Sequence, residues 1–407
     1  MAKGKAPEVK DMFAYLDTEE HRQRFPKLHI NDNFMEEGRL ATTEFFWRDH
    51  YAWLKDAGYL LRSRYSPGWS ASWKGTSKSP FECEDGVMSP AGVVMDATRL
   101  SDGSSVVLKQ CDRMHSDASL IAFREVFIFH KFSTDPLASD PRNHCISLTE
   151  VLHVPDDDAM DIVVMPLLQS WKLVEFSTAG EVVDFISQIV EGLQFMHEKG
   201  FWHGDVKYNS IMMDASPLLI DDVNPWDPEM TRDLSRDARF RNRTEHPVRY
   251  YWIDFDLTGE HDPSQGPPLV EPKYGGTRQV PEFEFPEKCN PFAVDVWCLG
   301  FFIHVYFMEG ADNLHIKKRR GCEFMLPLVS DMMNQDPAKR PSMDEVVRRF
   351  SDIKAGLTEW NLRARFAACD ENPVLRIIKS TKHWSRQLMY KSRGIAAIPR
   401  PVHRVNR

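Results

Sequence analysis

Cysteine is sparse in this chain of 407 residues, and no two cysteines form a C-x-x-C pair. An odd number of widely spaced cysteines argues against a disulfide framework and against a zinc knuckle. The seven positions are Cys83, Cys111, Cys145, Cys289, Cys298, Cys322 and Cys369. We therefore expect a reduced compartment, either cytoplasmic or nuclear.

A basic excess is also missing, since 60 Asp and Glu outnumber 51 Lys and Arg and give a formal net charge of -9. A general nucleic-acid binder needs positive charge to contact phosphates, so no specific nucleic-acid partner is expected. The N-terminus, MAKGKAPEVKDMF, lacks the apolar stretch of a secretory signal. The most apolar run, residues 294–308, is too short for a membrane span and contains Asp295 and His304, which favours a buried helix.

Acidic residues are absent from residues 376–407, a stretch that contains many Lys and Arg. Basic residues such as Lys382 and Arg386 alternate there with Trp384, Leu388 and Tyr390. A polybasic tail of this kind can contact an acidic partner or serve nuclear import. The alternative is a solvated and partly disordered tail.

The apolar periodicity predicts a strand-rich segment followed by a helical segment, an α+β organisation. The predicted domains are an N-terminal extension with a Trp-rich helix and loop (1–80), a strand-rich lobe (81–168), a helical lobe (169–355) and a basic tail (356–407). The predicted strands are 92–95, 105–109, 145–154 and 161–168, the first two forming a hairpin. The predicted helices are 42–55, 118–132, 179–199, 294–308, 323–334 and 344–355.

Two acidic stretches follow buried elements. Residues 201–216, FWHGDVKYNSIMMDAS, place Asp205 in a polar loop between apolar groups, an arrangement typical of a catalytic loop. Residues 250–260, YYWIDFDLTGE, place Asp254 and Asp256 directly after an apolar strand.

These stretches resemble the catalytic loop H-R-D-L-x-x-x-N and the metal-binding D-F-G of the eukaryotic protein kinase superfamily. GGTRQVPEFEF resembles the segment that ends in A-P-E, DVWCLG resembles D-x-W-x-x-G, and MMNQDPAKRPSMDEVV supplies Arg340 as the partner of Glu282. The shared order, over about residues 86–350, implies a two-lobe protein-kinase-like fold, with a small β-rich N-lobe containing one main helix and a larger helical C-lobe. The chain also resembles kinase-domain proteins of mushroom-forming fungi.

The resemblance implies a binding site for ATP. Val106-Val-Leu-Lys109 stands for V-A-I-K, so Lys109 would hold the α- and β-phosphates, with Glu125 as its helix partner. Val94 and Ala97 would line the adenine pocket, and Met165 would lie at its back.

The glycine-rich loop of the family, G-x-G-x-x-G-x-V, is incomplete in this chain. Alignment on Val94 leaves Gly92 as the third glycine, while Val87 and Ser89 occupy the first two glycine positions. Side chains there restrict the close approach of the backbone to phosphates, so a looser ATP clamp is expected.

In the catalytic loop, the resemblance makes Asp205 the base that accepts the proton of the attacking hydroxyl. Lys207 would neutralise the transferred phosphoryl group. Asp254 keeps the main magnesium position, and the second Mg²⁺ ligand of the family falls at Ser210. The family's arginine after the histidine is Gly204, so control by a phosphorylated activation loop is not expected.

Two further features depart from the family. Asp256 replaces the glycine of D-F-G, either as a second carboxylate near the metal or as a capping or solvent-facing residue. An insertion over about residues 215–247, rich in Asp and Arg, lies between two strands and favours a flexible surface loop.

The resemblance predicts an ATP-dependent kinase that phosphorylates Ser or Thr of a protein substrate. The departures leave open a pseudokinase that binds ATP or serves as a scaffold. The motif H-G-D followed by I-D-F-D also resembles the motifs of small-molecule kinases of the aminoglycoside and choline type.

Overall fold

The computed structural model describes residues 37–89, 91–112, 122–262, 264, 266–272, 275–285, 287–311 and 316–401. Residues 1–36 of the predicted extension (1–80), the first turn of the predicted helix 118–132 and the end of the basic tail (402–407) lie outside these residues. The chain divides into two compact units. The first unit comprises the described parts of Met1–Cys111 with Thr149–Leu167 and Asp221–Arg239, and the second comprises those of Asp112–Leu148, Leu168–Ile220 and Phe240–Arg407.

The first unit is built on a five-stranded sheet in the order β1-β2-β3-β5-β4. Its strands are β1 (Tyr59–Leu60), β2 (Val94–Arg99), β3 (Ser105–Asp112), β4 (Glu150–His153) and β5 (Met160–Pro166). The β2–β3 hairpin and the β4–β5 pair are both antiparallel. The first pair confirms the predicted hairpin, and the ends of all four predicted strands are shifted. β1, which pairs with β2, comes from the segment predicted to be an extension.

One face of the β2–β3 hairpin packs into the hydrophobic core of the first unit. Met95 and Ala97 of β2 lie there with Val106 and Leu108 of β3, and all four are buried. Trp47, Leu54 and Tyr59 from the N-terminal side complete much of this core. Because side chains alternate along a strand, the residues between them lie on the opposite face.

The predicted helix 42–55 is divided into shorter pieces. A 3-10 turn (Thr42–Glu44) leads into α1 (Phe45–Asp49), and α2 (Tyr51–Asp56) follows after a break at His50. The Glu44 carboxylate accepts hydrogen bonds from Arg64 Nε at 2.6 Å and Nη2 at 2.8 Å. This buried ion pair ties the first turn to the segment that follows β1.

The insertion is an ordered part of the first unit over Asp221–Arg239, so the prediction of a flexible surface loop is wrong. Trp226 Nε1 donates to Asp96 Oδ1 on β2 at 2.6 Å. The Asp221 carboxylate accepts hydrogen bonds from the guanidinium groups of Arg236 and Arg239. The Asp and Arg content that suggested a solvated loop therefore forms internal ion pairs.

Helices dominate the second unit. Its helices are α3 (Ala122–Phe132), α4 (Ala179–Glu198), α5 (Pro291–His304), α6 (Leu326–Met332), α7 (Met343–Gly356), α8 (Glu359–Arg363) and α9 (Pro373–Ser392). Short antiparallel ladders join β6 (Gln169–Ser170), β8 (Ile211–Met213) and β9 (Tyr250–Trp252), and pair β7 (Phe201–Trp202) with β10 (Gly259–Glu260) and β11 (Arg319–Arg320) with β12 (Ala367–Ala368). The predicted helices are confirmed with small shifts of their ends.

α5 is the apolar helix of the second unit, and it continues as a π-helical turn over Val305–Glu309. Among the described residues, Pro291–Glu309 is long and apolar enough to cross a membrane, yet 72% of its most apolar window is buried inside the fold. This burial matches the expectation of a core helix.

The C-terminal segment forms a long helix where the sequence left open a partly disordered tail. Asn372 caps α9, with its side chain accepting from the amide of Val374 at 3.0 Å, and Pro373 occupies the first turn. Tyr390 is buried and its hydroxyl donates to Glu245 at 2.8 Å. A capped start and a packed face explain why a strongly basic segment folds.

Candidate active site

Asp295 on α5 holds the backbone of the loop that follows β7. The amide of His203 donates to Asp295 Oδ2 at 2.7 Å, and the amide of Gly204 donates to Oδ1 at 2.9 Å. His197 Nε2 lies 3.0 Å from the same Oδ2. A buried carboxylate with this many donors is well solvated by the protein, so it fixes the loop conformation.

The loop presents Asp205 with both carboxylate oxygens engaged. Oδ1 accepts the amide of Gly276 at 2.6 Å, and Oδ2 lies 2.8 Å from Lys207 Nζ. The hydroxyl of Ser210 donates to Oδ2 over 3.5 Å. Asp205 is 5% exposed, whereas 28% of the Lys207 side chain is exposed. The arrangement orients a carboxylate and places a cation next to it.

Gly204 occupies the position of the family's arginine, and its backbone conformation requires glycine. Its φ is +79°, a region that side chains disfavour. A Cβ atom there would also lie 2.4 Å from the carbonyl oxygen of Leu257. The absence of arginine is thus part of how this loop packs.

An aromatic column links the loop to α3. The ring of His203 lies 5.7 Å from that of Phe255, and Phe255 lies 5.1 Å from Phe129 on α3. Burial lowers the pKa of His203 and favours its neutral form. Its Nδ1 accepts from the Asp205 amide at 3.2 Å, so Nε2 carries the proton and donates to the carbonyl of Ile253.

This column brings three carboxylates together. Glu125 precedes Phe129 by four residues, so both lie on the same face of α3. Phe255 is flanked by Asp254 and Asp256, and one carboxylate oxygen each of Glu125, Asp254 and Asp256 lies within 4.8 Å of the others. Asp254 has a φ of +65°, which turns the backbone at this point.

The donor set of this cluster suits a hard divalent cation. Carboxylate oxygens are preferred ligands of Mg²⁺, and three of them at this spacing repel one another unless a cation or a proton is close. The structure thus brings Asp254 together with Glu125 and Asp256, whereas Ser210 lies beside Asp205. Asp256 was the residue whose role the sequence left open.

The first unit contains the remaining predicted site residues. Val94 and Lys109 are direct partners across β2 and β3. Ala97 is not on their face, because it packs into the core described above. The next pair on the face of Lys109 is Asp96 with Val107, so Val107, rather than Ala97, shares a face with Val94.

Gly92 and Met165 have structural contacts of their own. The Gly92 carbonyl accepts from Trp47 Nε1 at 2.7 Å, and its φ is +63°. A Cβ at Gly92 would lie 3.0 Å from the Thr43 side chain. Met165 is buried in β5, with 7% of its surface exposed. The glycine is therefore used for packing against the N-terminal helices of the first unit.

The predicted pair of Glu282 and Arg340 is confirmed. Arg340 Nη1 and Nη2 each donate to one carboxylate oxygen of Glu282 at 2.7 Å. Arg340 Nη1 also donates to the carbonyl of Ala293 on α5 at 3.0 Å. The segment that ends at Glu282 is thus held to α5, the helix that also supports the loop containing Asp205.

The chain is similar in sequence to three known protein kinases at low identity. A light-sensor protein kinase of Ceratodon purpureus is 24% identical over 196 residues, which cover 43% of this chain and 14% of that protein. A probable serine/threonine-protein kinase of Zea mays is 23% identical over 226 residues (50% and 31%). The serine/threonine-protein kinase pim-2 of Danio rerio is 20% identical over 280 residues (63% and 79%). These similarities support a protein-kinase-like superfamily.

No protein-family model matches the chain. The alignments span about one seventh and one third of the first two relatives. The kinase-like character is therefore supported at the level of the superfamily, and the mixed α and β structure with an antiparallel sheet fits a kinase-like fold.

Within this kinase-like chain, sequence reasoning did not place Asp295, Phe129 or Val107 in the site. Asp295 lies in the D-x-W-x-x-G segment. A carboxylate in a predicted apolar helix was the signal that could have indicated a buried structural role for it. Phe129 could have been found from its spacing to Glu125. Val107 could have been found because it is two residues from Lys109 on β3 and therefore lies on the same face of the strand.

Proposed function

We propose that the chain is an ATP-dependent protein kinase that transfers the γ-phosphoryl group to Ser or Thr hydroxyls of a protein substrate. The proposal includes the two-lobe kinase-like architecture and action in the cytoplasm or nucleus. The observation that carries it is the geometry around Asp205, a buried carboxylate oriented by the Gly276 amide and adjoining Lys207 at 2.8 Å.

In this proposal Asp205 orients the substrate hydroxyl and accepts its proton during transfer. Its direction is fixed by the hydrogen bond from Gly276 and by the loop backbone, which Asp295 holds, so little reorganisation is needed. Lys207 forms an ion pair with Asp205 in the structure. In the reaction its ammonium group would also interact with the oxygens of the transferred phosphoryl group. Serine and threonine are favoured over tyrosine because Lys207 resembles the loop of Ser/Thr kinases.

The nucleotide would be held by residues of both sequence lobes. Lys109 would contact the α- and β-phosphates, with Val94 next to the adenine, Gly92 near the phosphates and Met165 behind the base. Asp254 would hold Mg²⁺, with Glu125 and Asp256 close by and Ser210 assisting. The bound ion would neutralise charge on the phosphates. The assignment of Glu125 as partner of Lys109 remains part of the proposal.

A second candidate is a small-molecule kinase of the aminoglycoside or choline type. It is favoured by Asp256, which lies within the carboxylate cluster instead of pointing away from it. The protein-kinase hypothesis is preferred, because the D-P-x-x-R-P motif is typical of protein kinases and the Glu282–Arg340 pair supports the resemblance to that motif.

The test is phosphoryl transfer from labelled ATP in the presence of Mg²⁺. The purified chain is offered a generic peptide mixture and, separately, aminoglycosides and choline, and nucleotide-induced thermal stabilisation is measured on the same samples. Transfer to Ser or Thr of peptides is expected. Transfer to small molecules alone would support the second candidate, and stabilisation without transfer would indicate a pseudokinase.

A further inference from the structure

A cleft of about 640 Å³ lies in the second unit, beside the C-terminal helix α9. Its walls come from the loop before α4, from β11 and β12 with their flanks, and from one face of α9. The α9 residues in the wall are Lys379, Lys382, His383 and Arg386, which recur at helical spacing. None of the residues assigned to the proposed active site lines this cleft.

The cleft is strongly basic although the whole chain has a net charge of -9. Six of its lining residues are Lys or Arg and three are Asp or Glu. The basic residues are Lys317, Arg319, Arg365, Lys379, Lys382 and Arg386. The acidic ones are Glu175, Asp370 and Glu371. Counting these groups alone gives a local excess of three positive charges.

Two of the acidic residues are already paired. Glu371 accepts two hydrogen bonds from Arg365 and lies 3.0 Å from Lys379 Nζ, while Asp370 lies 2.9 Å from Lys317 Nζ. These pairs hold part of the basic wall in place. The excess of positive charge therefore falls on the other basic residues of the cleft.

Lys382 and Arg386 belong to that remainder. In the part of the chain that the structure describes, neither makes an ion pair. Arg386 Nε is also buried without a hydrogen-bond partner there. The nearby His383 is kept neutral, because burial and then the adjacent arginines lower its pKa. An anionic group in the cleft would meet charges that the fold leaves uncompensated.

The cleft also has an apolar part. Phe176, Phe366 and Ala367 line it and are buried, and Ala368 adds a small apolar surface. Outside the cleft, α9 exposes Leu375 and Ile378 within one turn of Lys379 and Lys382. A ligand that fits this surface combines negative charges with apolar side chains, which is a property of a peptide more than of an inorganic polyanion.

We propose that this cleft is a docking site for an acidic peptide segment of a partner protein. Carboxylate side chains of the segment would pair with Lys382 and Arg386, and an apolar side chain would pack near Phe176 and Phe366. The proposal assigns a partner class to the basic C-terminal segment. It does not depend on the proposed phosphoryl transfer.

The test uses the full chain and a short fluorescein-labelled peptide with the repeat Glu-Glu-Leu-Ser, followed by fluorescence anisotropy. The same peptide with Gln in place of Glu is the ligand control. The test variant is the double substitution Lys382→Glu and Arg386→Glu. The control variant is Arg376→Glu, which changes an exposed charge on α9 outside the cleft.

We expect the acidic peptide to bind, the Gln peptide to bind at least about tenfold more weakly, and the double variant to lose at least about tenfold in affinity. Arg376→Glu should stay within about twofold, and higher salt should weaken binding. Thermal unfolding of each variant verifies that it folds. The peptide assay does not involve nucleotide, so its failure is distinct from failure of the proposed kinase activity.

Absence of binding by the wild-type chain would overturn the proposal, as would equal binding of the Gln peptide. Equal losses in the double variant and in Arg376→Glu would also overturn it, because they would reflect overall charge alone. Vesicles containing phosphatidylserine are measured in parallel. If the double variant weakens vesicle binding and leaves peptide binding unchanged, the surface serves a membrane and the proposal is wrong.

Discussion

Gly204 lies so close to Leu257 that a Cβ atom on the glycine would be 2.4 Å from the leucine carbonyl oxygen. The same glycine donates its amide to Asp295 and has a φ of +79°. The loop next to Asp205 is therefore packed around a residue without a side chain. The departure from the kinase pattern at this position is a structural requirement of this chain.

Replacing Gly204 should destabilise the fold. Gly204→Ala should lower the free energy of unfolding by more than about 2 kcal/mol. The alanine would have to adopt a left-handed backbone conformation, and its Cβ atom would also clash with the carbonyl oxygen of Leu257. Urea unfolding measures this change. Gly103→Ala is the control, because Gly103 has a φ of +73° with open space around its Cβ position and should lose only about 1 kcal/mol. Equal losses would contradict the packing argument.

Ser210→Ala tests the second magnesium position. If Ser210 assists magnesium, the variant should need several-fold more Mg²⁺ for half-maximal turnover, because one oxygen ligand is lost. Titration of turnover with Mg²⁺ gives this value. Asn209→Ala changes an exposed neighbour and should leave the titration unchanged. A lower rate with an unchanged Mg²⁺ requirement would make Ser210 a positioning residue for Asp205.

Asp184 on α4 should make stability depend on pH. Burial raises its pKa to about 8, although a hydrogen bond from Gln188 opposes the change. In the unfolded chain its pKa is about 4, so the folded state binds the proton more tightly between these values. This contribution is fully present below about pH 4 and is lost as the pH rises towards 8.

The variant that tests this effect is Asp184→Asn, which keeps an oxygen that can accept from Gln188. It should be more stable than the wild type at pH 8, and its free energy of unfolding should vary less between pH 5 and pH 8. Urea unfolding at several pH values measures both. Parallel profiles of the two proteins would show that Asp184 is not the source of the dependence.

Trp226→Phe should loosen the insertion. The substitution removes the 2.6 Å hydrogen bond to the buried Asp96 carboxylate, which keeps Arg62 as a partner at 3.0 Å. A loss of about 1–2 kcal/mol in unfolding free energy is expected, together with faster proteolysis within residues 221–239. Trp360→Phe, at a half-exposed tryptophan, is the control with a smaller effect. Unchanged proteolysis would contradict a structural role of Trp226.

The sequence predicted much of the fold because its signals are local. Strand alternation and turn residues give the β2–β3 hairpin, and helical spacing with a terminal glycine gives α4, which ends at Glu198 before Gly200. The Glu282–Arg340 pair was predicted from the kinase resemblance, in which the order and spacing of the motifs are shared. These features depend on residues near in sequence or on the order of motifs in the resemblance.

The features that the sequence did not predict depend on long-range contacts. Trp226 and Asp96 are 130 residues apart, and no local pattern indicates that an insertion packs on a distant strand. Val94 and Ala97 are three residues apart, so their side chains point to opposite faces of β2, and an adenine pocket lined by both stays a prediction. The position of Glu125 next to Asp254 depends on the packing of Phe129 against Phe255, which spacing alone does not reveal.

The most direct measurement is Mg²⁺-dependent phosphoryl transfer from ATP to a peptide mixture by the wild type, Asp205→Asn, Asp254→Asn and the control Asp222→Asn, which changes an exposed carboxylate in the insertion. We predict that the wild type and the control transfer phosphate. Asp205→Asn should lose at least about a hundredfold in rate with nucleotide binding retained, and Asp254→Asn should lose both transfer and its response to Mg²⁺. Equal rates in all four proteins, or no transfer by the wild type, would contradict the assignment of Asp205 and Asp254 as the centre of a kinase.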